Sequence, residues 1–335
     1  MLTKYDIIHI FNNTKKIEND ILKKIFHQSL FYKKYPNNIE KAVYMIIMIY
    51  NIKKYDITNI NSFLYDYFYS NKKMKIKKKS LFRFNRKNKD IINFFTILNK
   101  GYRNYMEDNI LIINKKKYYF SIVLDGHGGN ECSLFIKTNF TNYFLKNLNK
   151  IKDNYKLIIK NTLKQLDSDF LKLNFKSGST MNLLFIDKVK KKYYIFNVGD
   201  SRCICFTKTK EIKQISIDHR PNVLSEKIYI EQIRYGFVKN NRVNGILGVS
   251  RAFGDKKLKK YITSTPDIFE GKFDNILYFI QGTDGVFDYI KNNELIQLIN
   301  KKNLYYNKNI ENAYKFILYK KKSKDNISIS FTLIS

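Results

Sequence analysis

The chain has 335 residues, of which 44% are hydrophobic, enough for one large core with an appendage, because single cores stop growing near about 250–300 residues. Sixty-two Lys and Arg against 29 Asp and Glu give a net charge of +33. The excess is Lys rather than Arg and is spread along the chain, so we interpret it as a bias of the solvated surface and expect no nucleic-acid partner.

The cysteines and the N-terminus indicate neither export nor a membrane anchor. Cys132, Cys203 and Cys205 are too few for a disulfide framework and lack zinc-ligand spacing. The first residues have no signal-peptide or myristoylation pattern, and the most apolar stretch, residues 42–50, is about half of a bilayer span. We therefore predict an intracellular protein, in the cytoplasm or the nucleus, without a membrane span.

The first ninety residues have a pattern of their own. Up to about residue 69, apolar residues recur every three or four positions, as at Ile17, Ile21 and Ile25, which predicts a small helical appendage. Residues 71–89 are rich in Lys and predict a solvated connector, with a nuclear-import or anionic-surface patch as the alternative. We predict a helical extension with a basic linker over residues 1–90 and a main domain over residues 91–335.

From residue 94 onward, short β-rich runs end in acidic residues, so that predicted strands deliver Asp125, Asp200 and Asp284 at their ends. The predicted strands include residues 118–124, 193–198, 277–280 and 327–333, and helical periods occur at residues 131–148, 155–173, 226–234 and 292–319. Short connections between strands and adjacent helix pairs predict an α+β fold, with antiparallel sheets between helix layers.

Acidic corners, three of them with glycine, are unusually dense in this otherwise basic chain. They are Glu107-Asp108, Asp125-Gly126-His127-Gly128-Gly129, Gly199-Asp200, Asp284-Gly285 with Asp288, and Asp325-Asn326. One Asp-Gly pair is usually a plain turn, but five acidic corners indicate a site for a hard divalent cation with oxygen ligands. Glycine allows a backbone carbonyl to join the ligands, and an imidazole at His127 can donate a proton near neutral pH.

These corners resemble motifs of the metal-dependent type 2C serine/threonine protein phosphatases, and they follow that family's order over most of residues 94–335. The Asp125-Gly126-His127-Gly128-Gly129 run matches the family's most recognisable signature residue for residue. The other matched segments are residues 101–108, 177–180, 197–202, 218–221, 242–245, 250–255, 283–288 and 325–328. The fold that the resemblance implies is a four-layer αββα sandwich, in which two mostly antiparallel sheets are flanked by helix pairs.

The resemblance also implies a metal-ligand set for two Mg²⁺ or Mn²⁺ ions. By matched position, Asp125 bridges the two ions, and Asp284 and Asp325 complete the first site. Glu107 and the carbonyl of Gly126 hold the second ion.

Further roles follow from the same match. Asp108 is an outer carboxylate near the ions, and Asp200 and Asp288, together with Asp284, match a weaker third metal site of many members. Arg103 binds the substrate phosphate, for which its planar fork is suited, and His127 is the general acid.

The implied activity is that of a protein serine/threonine phosphatase. A water or hydroxide bridging the two ions attacks phosphoserine or phosphothreonine in protein substrates, without a phosphoenzyme. A monomer is expected. Tyr235 stands where the family commonly has Gly, and Gly248 where it commonly has Ala, which leaves substrate preference open; Met181 also stands where Ala is common.

Two other functions make different demands on the sequence. A catalytically inactive scaffold of the same fold is expected to have lost ligand carboxylates, whereas Glu107, Asp125, Asp284 and Asp325 are all present. A nucleic-acid-binding protein, suggested by the +33 charge, lacks a recognisable binding module.

Overall fold

The computed structural model describes residues 81–85, 91–151, 154–300 and 306–334. The predicted helical appendage lies outside the described residues, and the boundary at residue 90 stays a prediction. Within the stretch interpreted as a connector, Leu81–Asn85 forms an edge strand that pairs with residues 94–98.

The described strands are β1 (Leu81–Asn85), β2 (Ile92–Asn99), β3 (Asn109–Asn114), β4 (Tyr118–Leu124), β5 (Gly126–His127), β6 (Gly178–Ser179), β7 (Met181–Asp187), β8 (Lys192–Val198), β9 (Arg202–Thr207), β10 (Ile212–Gln214), β11 (Val238–Lys239), β12 (Arg242–Val243), β13 (Phe253–Gly254), β14 (Asp267–Lys272), β15 (Ile276–Gly282) and β16 (Ile327–Ile334). The described helices are α1 (Glu131–Leu148), α2 (Tyr155–Lys172), α3 (Leu224–Glu231), α4 (Asp284–Phe287), α5 (Asn292–Ile299) and α6 (Tyr306–Lys315), and a π-helical turn follows over Phe316–Lys320.

Two antiparallel sheets form the centre of the fold. The first sheet has the strand order β1-β2-β16-β15-β9-β10, and the second has the order β14-β8-β7-β4-β3. All of their strand pairs are antiparallel, which agrees with the short connections in the sequence. A small sheet of two-residue strands, in the order β13-β6-β5, lies beside the end of β4.

Helix pairs cover the outer faces of both sheets. On the second sheet, Phe120 of β4 packs its ring against Phe140 and Phe144 of α1, with centroids 5.2 and 4.8 Å apart. On the first sheet, Tyr278 and Ile280 of β15 belong to one buried cluster with apolar residues of α5 and α6. The result is the four-layer αββα sandwich that the resemblance implied.

The space between the sheets combines apolar packing with a polar seam, formed by Tyr119, Ser121, Asn182, Gln281, Ser330 and Thr332. The hydroxyls of Ser121 and Ser330 are 2.7 Å apart, and those of Tyr119 and Thr332 are 3.0 Å apart. The Gln281 amide Nε2 donates to Asn182 Oδ1 at 2.8 Å. Because successive residues of a strand face opposite sides, these polar groups alternate with the apolar residues that face the helices.

The predicted helices α1 and α2 are confirmed almost to the residue, and the closing strand is confirmed at Ile327–Ile334. The helical period predicted over residues 292–319 instead contains α5, α6 and the π-helical turn, with residues 301–305 outside the described part. No described helix combines the length and the apolar run needed to cross a bilayer.

The packing of α1 on the second sheet predicts the effect of one core substitution. Phe120→Ala removes a fully buried ring and should lower the free energy of unfolding by about 3–5 kcal/mol, measured by urea denaturation. Leu145→Ala on the same helix layer, where the side chain is 41% exposed, is the control and should change it by about 0.5 kcal/mol or less. Equal losses for the two variants would contradict the assigned packing.

Candidate metal centre

Asp125 and Asp284 lie at the ends of two strands from different sheets. Asp125 follows β4, and Asp284 begins α4 after β15. Burial raises the pKa of Asp284, and the charge of Asp325 raises it further. Burial raises the pKa of Asp125 well above its ordinary value, and the charges of Asp284, Asp108, Asp200 and Asp325 raise it further.

Asp108 is buried beside this pair and is held by two hydroxyls. Ser328 Oγ donates to Asp108 Oδ2 at 2.6 Å, and Thr283 Oγ1 donates to the same oxygen at 3.1 Å. Burial raises the pKa of Asp108 to about 8; the Ser328 hydrogen bond opposes the rise, and the charges of Asp284 and Asp325 add to it. Such a carboxyl stays neutral near pH 7 unless a cation balances it.

Glu107 and Gly126 come together through their backbones. A Cβ atom at residue 126 would collide with the carbonyl oxygen of Glu107, so the close approach of these two backbone segments requires glycine. The backbone N–H of Gly129 donates to Glu107 Oε1 at 2.7 Å. Burial raises the pKa of Glu107, and the Gly129 hydrogen bond and the charge of His127 oppose the rise.

Arg103 pairs with Asp325. Its Nη2 is 2.6 Å from Asp325 Oδ2, and its Nε donates to the Lys324 carbonyl at 3.0 Å. The Arg103 side chain is 54% exposed, so one face of the guanidinium remains open to solvent.

Asn326 fixes the loop that carries Arg103 and Glu107. Its Nδ2 donates to the carbonyls of Lys100 at 3.1 Å and Tyr105 at 2.9 Å. Its Oδ1 accepts from the Glu107 N–H at 2.8 Å. The amide therefore joins both ends of the loop to the start of β16. Sequence reasoning quoted Asn326 within a motif but gave it no role.

His127 pairs with Asp255, which sequence reasoning also left without a role. His127 Nε2 and Asp255 Oδ2 are 2.6 Å apart, and the Asp255 side chain is only 8% exposed. A Cβ atom at Gly178 would collide with both groups, so that glycine makes room for the pair. Gly254-Asp255 is an acidic corner with glycine, a signal that could have identified it.

Asp200 and Asp288 face Arg220 rather than an open space. Arg220 Nη2 is 2.5 Å from Asp288 Oδ1 and 3.5 Å from Asp200 Oδ2. Burial raises the pKa of Asp200 to about 8, with the charge of Asp284 adding to the rise and Arg220 opposing it. Arg220 belongs to the matched segment 218–221, but the sequence gave no sign of which carboxylates it would meet.

The residues present fit the two implied ions. Among the described residues, no three Asp, Glu, His or Cys side chains already stand in a metal-binding arrangement. The donors are nevertheless all oxygens, as Mg²⁺ and Mn²⁺ prefer, and burial and the charges of neighbouring carboxyls raise the pKa of Asp125, a repulsion that a cation would relieve. The ligand assignments of Glu107, Asp325 and the Gly126 carbonyl stay predictions.

The raised pKa of Asp108 predicts how the stability of the metal-free protein depends on pH. Because the folded protein holds a proton that the unfolded chain releases between the ordinary pKa of 3.8 and about 8, raising the pH through this range should destabilise the fold. In EDTA, the free energy of unfolding should therefore fall more steeply from about pH 5 to about pH 8 for the unsubstituted chain than for Asp108→Asn. Identical slopes in urea titrations would contradict the assigned environment.

Comparison with known proteins identifies the family. Residues 93–327, more than half of the chain, match the family model for protein phosphatase 2C. A protein of Oryza sativa subsp. japonica described as probable protein phosphatase 2C 45 is 36% identical over 216 residues, covering 62% of this chain and 73% of the rice protein. Another rice relative, probable protein phosphatase 2C 55, is 33% identical over 212 residues, covering 60% of this chain and 55% of the relative.

Solved structures share the fold. A serine-threonine phosphatase 2C from Toxoplasma gondii aligns with a TM-score of 0.65 at 18% identity, covering 77% of this chain and 100% of that one. A C. elegans sex determining protein aligns with a TM-score of 0.67 at 23% identity, covering 73% of this chain and 65% of that one. The resemblance inferred from the motifs is confirmed, and the chain belongs to the protein phosphatase 2C family of enzymes.

Proposed function

We propose that this chain hydrolyses phosphoserine and phosphothreonine in proteins with two Mg²⁺ or Mn²⁺ ions held by Glu107, Asp125, the Gly126 carbonyl, Asp284 and Asp325. The observation that carries the proposal is the cluster of buried carboxyls that β4 and β15, from the two sheets, bring together at Asp125 and Asp284. Carboxyls buried this close to each other repel when ionised, and divalent cations relieve that repulsion. When bound, the ions supply Lewis-acid activation of the attacking water.

Arg103 is the proposed phosphate-binding residue. Its guanidinium is already oriented by Asp325 and by the Lys324 carbonyl, while more than half of the side chain is exposed. A guanidinium fixed on one edge can offer its other N–H groups to two phosphate oxygens.

His127 is the proposed general acid for the departing serine or threonine alkoxide. Its contact with Asp255 orients the imidazole, and its partial exposure leaves the ring accessible. A leaving alkoxide is a strong base, so a positioned proton donor is worth roughly 10²–10⁴ in rate.

No side-chain nucleophile is needed for this reaction. The three cysteines are all free and buried, which removes the thiols as candidates for a covalent phosphoenzyme. The intact carboxyl cluster also disfavours the inactive-scaffold alternative. The intracellular location and the monomeric state stay predictions.

Loss of a proposed ligand tests the metal dependence. Asp125→Asn and Asp284→Asn should each lower kcat/KM on a phosphothreonine peptide with Mn²⁺ by more than the roughly 10–100-fold typical of outer-shell changes. EDTA should abolish activity. Asp274→Asn, at a side chain that is 56% exposed, is the matched control and should leave kcat/KM unchanged. Full activity of the Asp125 variant would end the proposal.

The leaving group separates the roles of His127 and Arg103. His127→Gln should lower kcat on a phosphoserine peptide by roughly 10²–10⁴ but have little effect on p-nitrophenyl phosphate, whose phenolate leaves without a proton. Arg103→Lys should lower kcat/KM on both substrates, because both carry the same phosphate. If the His127 variant loses activity equally on the two substrates, His127 is not the general acid.

A further inference from the structure

Arg220 binds two of the three carboxylates that the family pattern assigns to a third metal ion. Its Nη2 lies 2.5 Å from Asp288 Oδ1 and 3.5 Å from Asp200 Oδ2. One guanidinium nitrogen therefore stands between the two side chains. Burial lowers the pKa of Arg220, but the contacts with Asp288 and Asp200 outweigh it and raise the pKa, so the guanidinium stays charged.

Arg220 is half-buried next to a further ion pair, between Asp218 and Arg202. The Arg220 side chain is 32% exposed, and its Nε lies 4.0 Å from Asp218 Oδ2. Asp218 is itself held by Arg202, through Nε at 3.0 Å and Nη2 at 2.6 Å. The Arg220 carbonyl accepts from the N–H of Val223 at 3.0 Å, which fixes the backbone.

The other arginine of the centre, Arg103, has a different set of contacts. Arg103 contacts only Asp325 among the carboxylates of the centre, and it is more exposed than Arg220. At the central pair, burial and the charges of neighbouring carboxyls raise the pKa of Asp125 and of Asp284. A cation can therefore enter between Asp125 and Asp284, whereas a third ion at Asp200 and Asp288 has to displace Arg220 or share carboxylates with it.

We propose that Arg220 takes the place of the third metal ion, so that this chain binds two divalent cations and not three. The proposal rests on the proposed two-metal function. The Asp200, Asp284 and Asp288 site expected from the family pattern does not fit a cation here, because Arg220 Nη2 lies 3.5 Å from Asp200 Oδ2 and 2.5 Å from Asp288 Oδ1 and places a positive charge there that repels a further cation. Arg220 supplies that charge at any concentration of free metal.

The test is a count of bound Mn²⁺ in the full chain, with free Mn²⁺ measured by electron paramagnetic resonance. The unsubstituted chain should bind two ions, and Arg220→Gln should bind three, the third with an affinity roughly tenfold or more above any third binding in the unsubstituted chain. Arg220→Lys keeps the charge and should bind two. The double variant Arg220→Gln with Asp288→Asn should lose the third ion again.

Each outcome decides one of the two proposals. Two ions in both the unsubstituted chain and a folded Arg220→Gln variant overturn the role of Arg220 but leave the two-metal function intact. No bound Mn²⁺ in the unsubstituted chain overturns the proposed function itself. Anomalous scattering from Mn²⁺-soaked crystals of the unsubstituted chain needs no variant: a peak between Asp200 and Asp288 would refute the inference, and peaks at Asp125 alone would support it.

Discussion

Electrostatic repulsion among buried carboxyls is the constraint around which this site is organised. The chain carries a net charge of +33, yet the pKa values of Asp108, Asp125, Asp200 and Asp284 are all raised, first by burial and then by each other. The surface lysines cannot relieve this repulsion, because solvent screens them from the interior. Relief has to come from groups inside the centre: a bound proton, an arginine or a bound cation.

Neutral residues hold the charged groups in place. Asn326 ties the loop of Arg103 and Glu107 to the strand that follows Asp325, and Gly126 and Gly178 give way where a side chain would collide. Ser328 and Thr283 hold one oxygen of Asp108. The carboxyls thus come from distant parts of the chain, and short neutral contacts set the distances between them.

Local patterns predicted the parts of the fold that depend on local order. Helices α1 and α2 follow from their apolar period, and the strands before Asp125, Asp200 and Asp284 from their β-rich runs. Acidic corners identified the carboxyls because the acidic residue and its glycine or polar neighbour are adjacent in the sequence and can be recognised without knowledge of the fold. Strand β1 was missed, since basic residues around it resemble a solvated linker until its pairing partner is known.

Ion-pair partners could not be predicted in the same way. Nothing near Arg220 in the sequence specifies Asp288, which lies 68 residues away, and nothing near His127 specifies Asp255, 128 residues away.

At Tyr235, by contrast, the structure explains a preference of the family. This residue stands where the family commonly has Gly, and its φ of 68° explains that preference, because glycine adopts left-handed backbone without strain.

The polar seam between the sheets has a mechanical consequence. Apolar side chains tolerate a small shift of one sheet across the other. The hydroxyl contacts of Ser121 with Ser330 and of Tyr119 with Thr332 do not, because a shift would leave buried hydroxyls without hydrogen-bond partners. Asp125 is anchored to one sheet and Asp325 to the other, so any such slip would pull the two halves of the centre apart. The polar seam therefore fixes the position of one sheet relative to the other, and with it the distance between the carboxyls that each sheet contributes.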